Sequence, residues 1–179
     1  MLFYLLVTAL TEISSRVLGS YQINNLPLLH FYTIIEFLFI LRFFQLALNI
    51  ASVTRFAWWL MFIFPVFSIL NFIFIQNIHE YNSYPRSVAA LTIIGFCLFY
   101  FFNYQGAEDQ KKWIYEPCNW IVTGTLIYFG SSLFYFAFSN LLNESASLSV
   151  YFIFAYINAT LVMVMYLLFT IGFLYAKNE

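Results

Sequence analysis

Glu12, Arg16, His30, Tyr32 and Glu36 are the residues of this chain with the most chemistry to account for, because each lies in or beside a long apolar run. A carboxylate and a guanidinium in such surroundings can form an ion pair, relay a proton or hold a polar ligand. An isolated charge at the centre of a bilayer costs about 2.5–3.5 kcal/mol on insertion scales, so each of these groups calls for a partner. Glu12 and Arg16 are four apart and share one helix face. Counting about 1.5 Å per residue, Glu12 lies roughly 15 Å from one surface and Glu36 about 13 Å from the other, which brings both towards the midplane. Arg16 then falls between Glu36 and His30 in depth. The spacing predicts an interior cluster of Glu12, Arg16 and Glu36, with His30 at its outer mouth. Tyr32, on the same face as Glu36, is placed to donate a hydrogen bond to it.

Two readings of the cluster follow. One is a structural ion pair that fixes how the first two helices pack. The other is a ligand or proton site, since ionisable groups inside a membrane mark functional positions. His30 and Glu36 are six apart and point about 120° away from each other on a helix, which argues against a two-ligand metal site there. Arg42 is near enough to the end of its run to snorkel.

Familiar enzyme signatures do not occur. The chain has no Walker loop, no GxGxxG and no HExxH, and its two histidines, His30 and His79, form no zinc cluster. His79-Glu80 belongs to a polar loop, and the serines of GTLIYFGSS have no base nearby. No catalytic residue, metal or cofactor is predicted.

The elements that must position these residues are set by composition. Hydrophobic residues make up 63% and charged residues 8%, and the mean hydropathy is +0.83, whereas a soluble domain carries roughly 25% charged residues. Six apolar segments can be drawn, over residues 2–19, 28–48, 56–75, 87–104, 118–139 and 148–175, each long enough to span about 30 Å of hydrocarbon. They are continuously apolar rather than alternating, which favours helices over a transmembrane barrel. The predicted fold is an all-α polytopic transmembrane bundle, a single domain over 1–179. A net charge of -1 and the lack of a charge run exclude a polybasic nucleic-acid binder. Membrane lipid, a membrane protein partner or a second copy are the partners that remain. Cys97 and Cys118 read as free thiols.

Basic residues near the span ends predict the orientation. Arg55, Lys111, Lys112 and Lys177 lie on the side of the N-terminus, against Arg86 in the opposite loops and Arg16 near them, so the positive-inside rule puts both termini in the cytoplasm. Trp58, Trp59, Trp113 and Trp120 fall on the same side as an aromatic belt. The first span lacks the basic leader of a signal peptide and is expected to be retained. Asn143-Glu144-Ser145 is a glycosylation sequon in too short a loop to be used.

Two spans carry packing signals. Pro65 frees a carbonyl near Met61 and predicts a kink, which Ser68 and Asn71 could help to satisfy. In the fifth span Thr123, Gly130 and Ala137 are seven apart, with Gly124 and Ser131 in the adjoining row, and the sixth has Ala155 and Ala159 four apart. Small faces of this kind let helices approach closely, so the fifth and sixth spans are predicted to pair.

NNLPLLHFYTIIEFLFI (24–40), SYPRSVAAL (83–91) and WIVTGTLIYFGSSLFYFAFSN (120–140) resemble a family of small multi-pass bacterial inner-membrane proteins that has no assigned activity. The resemblance covers most of the chain. It implies six to seven spans, with one more helix in front in many members, and an association of some members with signalling kinases. No residue role carries over from it. The functional expectation is a small sensory or partner-binding membrane module, and the alternative is a transporter or channel built on the Glu/Arg cluster.

Overall fold

The computed structural model describes residues 1–103, 110–145 and 147–176, leaving aside the side chains of 110–112, 143–145 and 148. Lys177 of the orientation argument thus lies outside what is described, as do the side chains of Lys111, Lys112 and the sequon. Among the described residues the regular elements are all helices: α1 (Leu2–Ser20), α2 (Leu26–Leu48), α3 (Ala51–Phe74), α4 (Ser83–Asn103), the short α5 (Gln110–Tyr115), α6 (Pro117–Ser145) and α7 (Leu148–Ala176). All but α5 are long and apolar enough to cross a membrane, the make-up of a multi-pass integral membrane protein.

Local chemistry moves two helix starts away from the apolar pattern. Asn49 ends α2 in the left-handed region, at φ 48° and ψ 34°, a conformation that asparagine tolerates better than most residues. Ile50 is extended, and α3 starts at once. The corner therefore takes two residues, and Arg55 lies inside α3 rather than ahead of it. At α4, the Asn82 carbonyl accepts the Arg86 N–H at 3.1 Å and Gln76 Oε1 accepts the Tyr84 N–H at 3.2 Å. Pro85, which has no N–H to satisfy, fits this first turn. Arg86 is thereby a helical residue and not a loop cation.

By its contacts the chain divides into two compact units, Met1–Ala89 and Ala90–Glu179. In the first, α2 packs against both α1 and α3. Phe37 of α2 stacks on Phe64 of α3 with ring centroids 4.0 Å apart, while Ile40, Leu41 and Phe44 fill the interior beside them. α3 runs unbroken through Pro65. Ser68 and Asn71 do not take up the freed carbonyl: among the described residues Ser68 Oγ has no hydrogen-bond partner, and Asn71 Nδ2 turns towards the end of the helix to donate to Gln76 Oε1 at 3.0 Å.

In the second unit α6 and α7 pair, and of the small residues singled out by spacing it is Gly124 of the adjoining row, not the row of Thr123, Gly130 and Ala137, that lies at the contact. Gly130, Ala137 and Ala159 are exposed, and Thr123 and Ala155 are only half-buried. A Cβ added at Gly130 would meet nothing within 4 Å. The close approach is made at Gly124, where a Cβ would lie 3.1 Å from both Leu168 Cβ and the Met165 carbonyl, and at Gly172, where it would lie 2.9 Å from the Pro117 carbonyl. The cause is a register of one residue. Val122, Phe129 and Phe136, also seven apart, are all buried, and one residue is about 100° of helix. The large apolar stripe takes the interior and turns the small one outward.

Candidate polar site around Glu36

α1 is apolar, yet the residues it buries are Tyr4 and Thr8. Thr11 and Ser15 continue the same stripe half-buried. This stripe exists because α2 presents hydroxyl and carboxylate groups to it, and in a membrane such pairings take the place of the missing hydrophobic drive between helices.

Glu36, on α2, is 4% exposed. Tyr4 Oη donates to its Oε1 at 3.1 Å, and so does Tyr32 Oη, one turn earlier on α2, also at 3.1 Å. Arg86 Nη2 lies 3.7 Å from Oε2. The carboxylate is thus held by two hydroxyls and a guanidinium drawn from α1, α2 and the first turn of α4. Each donor points at an acceptor-only group, which is the arrangement that lets a charge stay buried.

A second tier fixes these donors. Thr8 Oγ1 is 3.0 Å from Tyr32 Oη and 2.9 Å from the Tyr4 carbonyl, to which it donates. Thr33 Oγ1 donates to the Leu29 carbonyl at 2.9 Å and accepts from Asn82 Nδ2 at 2.7 Å and from Arg86 Nη1 at 3.4 Å. Asn82 and Arg86, one turn apart on the α4 entry, therefore close on one hydroxyl of α2.

His30 is buried, but away from this carboxylate. Its Nε2–H donates to the Glu80 carbonyl at 2.9 Å, and its ring stands edge-on to Phe72 at 5.9 Å. Asn24 Nδ2 donates to the His79 carbonyl at 3.1 Å, so the start of α2 holds the loop between α3 and α4 at two points. Arg42 is exposed, with Nη1 donating to Gln45 Oε1 at 3.0 Å.

Of the cluster expected from spacing, then, Tyr32 and Glu36 meet, and Glu12 and Arg16 do not join them. Both are exposed, and among the described residues neither forms an ion pair. They follow Thr11 and Ser15 by one residue, about 100° round the helix, so the contact stripe that delivers Tyr4 and Thr8 to Glu36 carries Glu12 and Arg16 away from it. The cation that Glu36 needs comes instead from Arg86. Tyr4, Thr8, Thr33, Asn82 and Arg86 are the members of the site that spacing missed. The available signal was SYPR, in which a proline suited to a first helical turn puts the following arginine inside the span.

A smaller polar node lies in the second unit. Tyr100 Oη donates to Asn119 Oδ1 at 2.9 Å, and Asn119 Nδ2 donates to the Trp113 carbonyl at 3.0 Å. Trp120 Nε1 donates to the Ile114 carbonyl at 2.7 Å and its ring stacks on Tyr175. These bonds tie α5 to the start of α6. Among the described residues no three His, Cys, Asp or Glu side chains are placed to hold a metal, and Cys97 and Cys118 are not in a disulfide. Comparison of the chain with protein-family models, with curated proteins and with solved structures finds no match.

Proposed function

We propose that this is a small sensory or partner-binding module of the bacterial inner membrane, and not a conduit for solutes. The supporting observation is the closure of Glu36: at 4% exposure its oxygens face Tyr4, Tyr32 and Arg86. A permeation site needs a carboxylate that a solute can reach and leave. This one acts as a latch that holds α1 and the entry of α4 on α2. Its release is the event that alters what α1 presents to a partner, since the outer face of α1 is exposed and apolar at Leu6, Leu10 and Ile13. The partner is a membrane protein or a second copy of the chain. The termini are assigned to the cytoplasm by the basic residues at the span ends. The resemblance to small inner-membrane proteins, some of them associated with signalling kinases, points the same way.

The test is a pair of measurements on the full chain. In proteoliposomes, wild-type protein is expected to give no proton or ion flux above that of protein-free vesicles. In native membranes, a photo-crosslinker at Leu10 is expected to give a protein adduct of defined mass whose yield changes severalfold in Arg86→Gln. Flux that is present in wild type and lost in Glu36→Gln would overturn this reading in favour of transport.

A further inference from the structure

The corner between α2 and α3 has a groove that the Glu36 latch does not explain. It is open, has a volume of about 680 Å³, and is lined by Asn49, Ala51, Thr54, Arg55, Trp58, Trp59 and Phe62. We propose that it binds one anionic phospholipid, with the headgroup phosphate at Arg55 and an acyl chain along Trp59 and Phe62.

Charge is the first argument. Arg55 is exposed, forms no ion pair among the described residues and has no acidic neighbour in the groove lining. The polar groups beside it, Asn49 and Thr54, bring no counter-charge. The α3 start is also uncapped by any side chain, so the N–H groups of its first turn add positive potential at the same end. A phosphate diester supplies the missing anion, and arginine takes it in a two-pronged hydrogen bond.

Shape is the second argument. Arg55, Trp58, Trp59 and Phe62 are spaced three, four and seven residues apart and so lie on one face of α3. From Arg55 to Phe62 is a rise of about 10 Å, which carries the groove from headgroup level into the acyl layer. Trp58, Trp59 and Phe62 are 57%, 63% and 70% exposed. Tryptophan in this position favours the boundary between headgroups and chains. At the corner Gln45 Nε2 donates to the Thr54 carbonyl at 3.1 Å and ties α2 to the first turn of α3. A free phosphate would use only the polar end of such a groove, whereas a lipid uses all of it.

The experiment is native mass spectrometry of the full chain released from nanodiscs of equal parts phosphatidylglycerol and phosphatidylcholine. Wild type is expected to retain one phosphatidylglycerol in preference to phosphatidylcholine. Arg55→Gln is expected to lower that retention about tenfold and Arg55→Lys to restore part of it, while Arg16→Gln, which removes an exposed charge elsewhere, leaves it unchanged. Trp59→Ala is expected to weaken it, and millimolar inorganic phosphate not to displace the lipid. Equal retention of the two lipids, an Arg55→Gln protein that keeps phosphatidylglycerol, or displacement by inorganic phosphate would each overturn the proposal. Flux through Glu36 would not, since the groove and the latch share no residue.

Discussion

Arg86 reaches Glu36 from a helix that the sequence places two spans away, and Nη2 stands 3.7 Å from Oε2 with both side chains shielded from the surroundings. Burying two such charges is costly, and their attraction offsets that cost only when the remaining donors and acceptors are also matched. Here Tyr4 and Tyr32 occupy Oε1, and Thr33 braces the guanidinium.

Removing the cation is therefore expected to be worse than removing the pair. Arg86→Gln leaves Glu36 without its guanidinium, a loss of about 3–5 kcal/mol for a broken buried pair. Glu36→Gln combined with Arg86→Gln should recover much of it. Thermal unfolding in mild detergent measures both, and a double variant less stable than Arg86→Gln would refute the latch.

The hydroxyl donors should rank below the charge and above the two residues that spacing had nominated. Tyr4→Phe and Tyr32→Phe each remove one interhelical or intrahelical bond to Glu36, for about 0.5–2 kcal/mol. Tyr32→Phe should cost more, because its hydroxyl also meets Thr8. Glu12→Gln and Arg16→Gln, both exposed, should stay within about 0.5 kcal/mol of wild type. The same unfolding series decides the order.

Glycine substitutions separate the helix faces of the second unit. Gly172→Ala puts a methyl group 2.9 Å from the Pro117 carbonyl, which forces backbone to move and should lower the melting temperature. Gly124→Ala should do so less, since its nearest contacts are at 3.1 Å. Gly130→Ala meets open space and should be neutral or stabilising by up to about 1 kcal/mol, the helix preference of alanine over glycine.

His30 is expected to act on the loop that follows α3. His30→Ala removes the donor to Glu80, and hydrogen exchange over residues 75–82 should quicken, with little change in α6 and α7. His30→Gln, which keeps a donor, should lie between the two. Unchanged exchange in His30→Ala would show that the bonds of Asn24, Gln76 and Asn82 hold the loop without His30.

Apolar composition and length were enough to locate the long helices, because a run that must cross about 30 Å of hydrocarbon announces itself in composition. The demand of Glu36 for a partner was equally plain, since charge burial is a property of the residue and its apolar flanks. So was the Tyr32 bond, which one helix turn determines. The identity of the cation was not, and neither was the choice of Gly124 and Gly172 over Gly130 as the glycines at which α6 and α7 touch. Both depend on which of several faces a helix turns inward, and a one-residue shift, about 100°, exchanges one stripe for its neighbour at little cost in hydropathy when nearly every residue is apolar. On α1 that shift selects Tyr4 and Thr8 over Glu12 and Arg16. On α6 it selects Val122, Phe129 and Phe136 over Thr123, Gly130 and Ala137. Sequence alone determined that these helices would be buried in a membrane and that a charge within them needed an answer; only tertiary packing, by fixing the rotation of each helix about its axis, decided that Arg86 would give it.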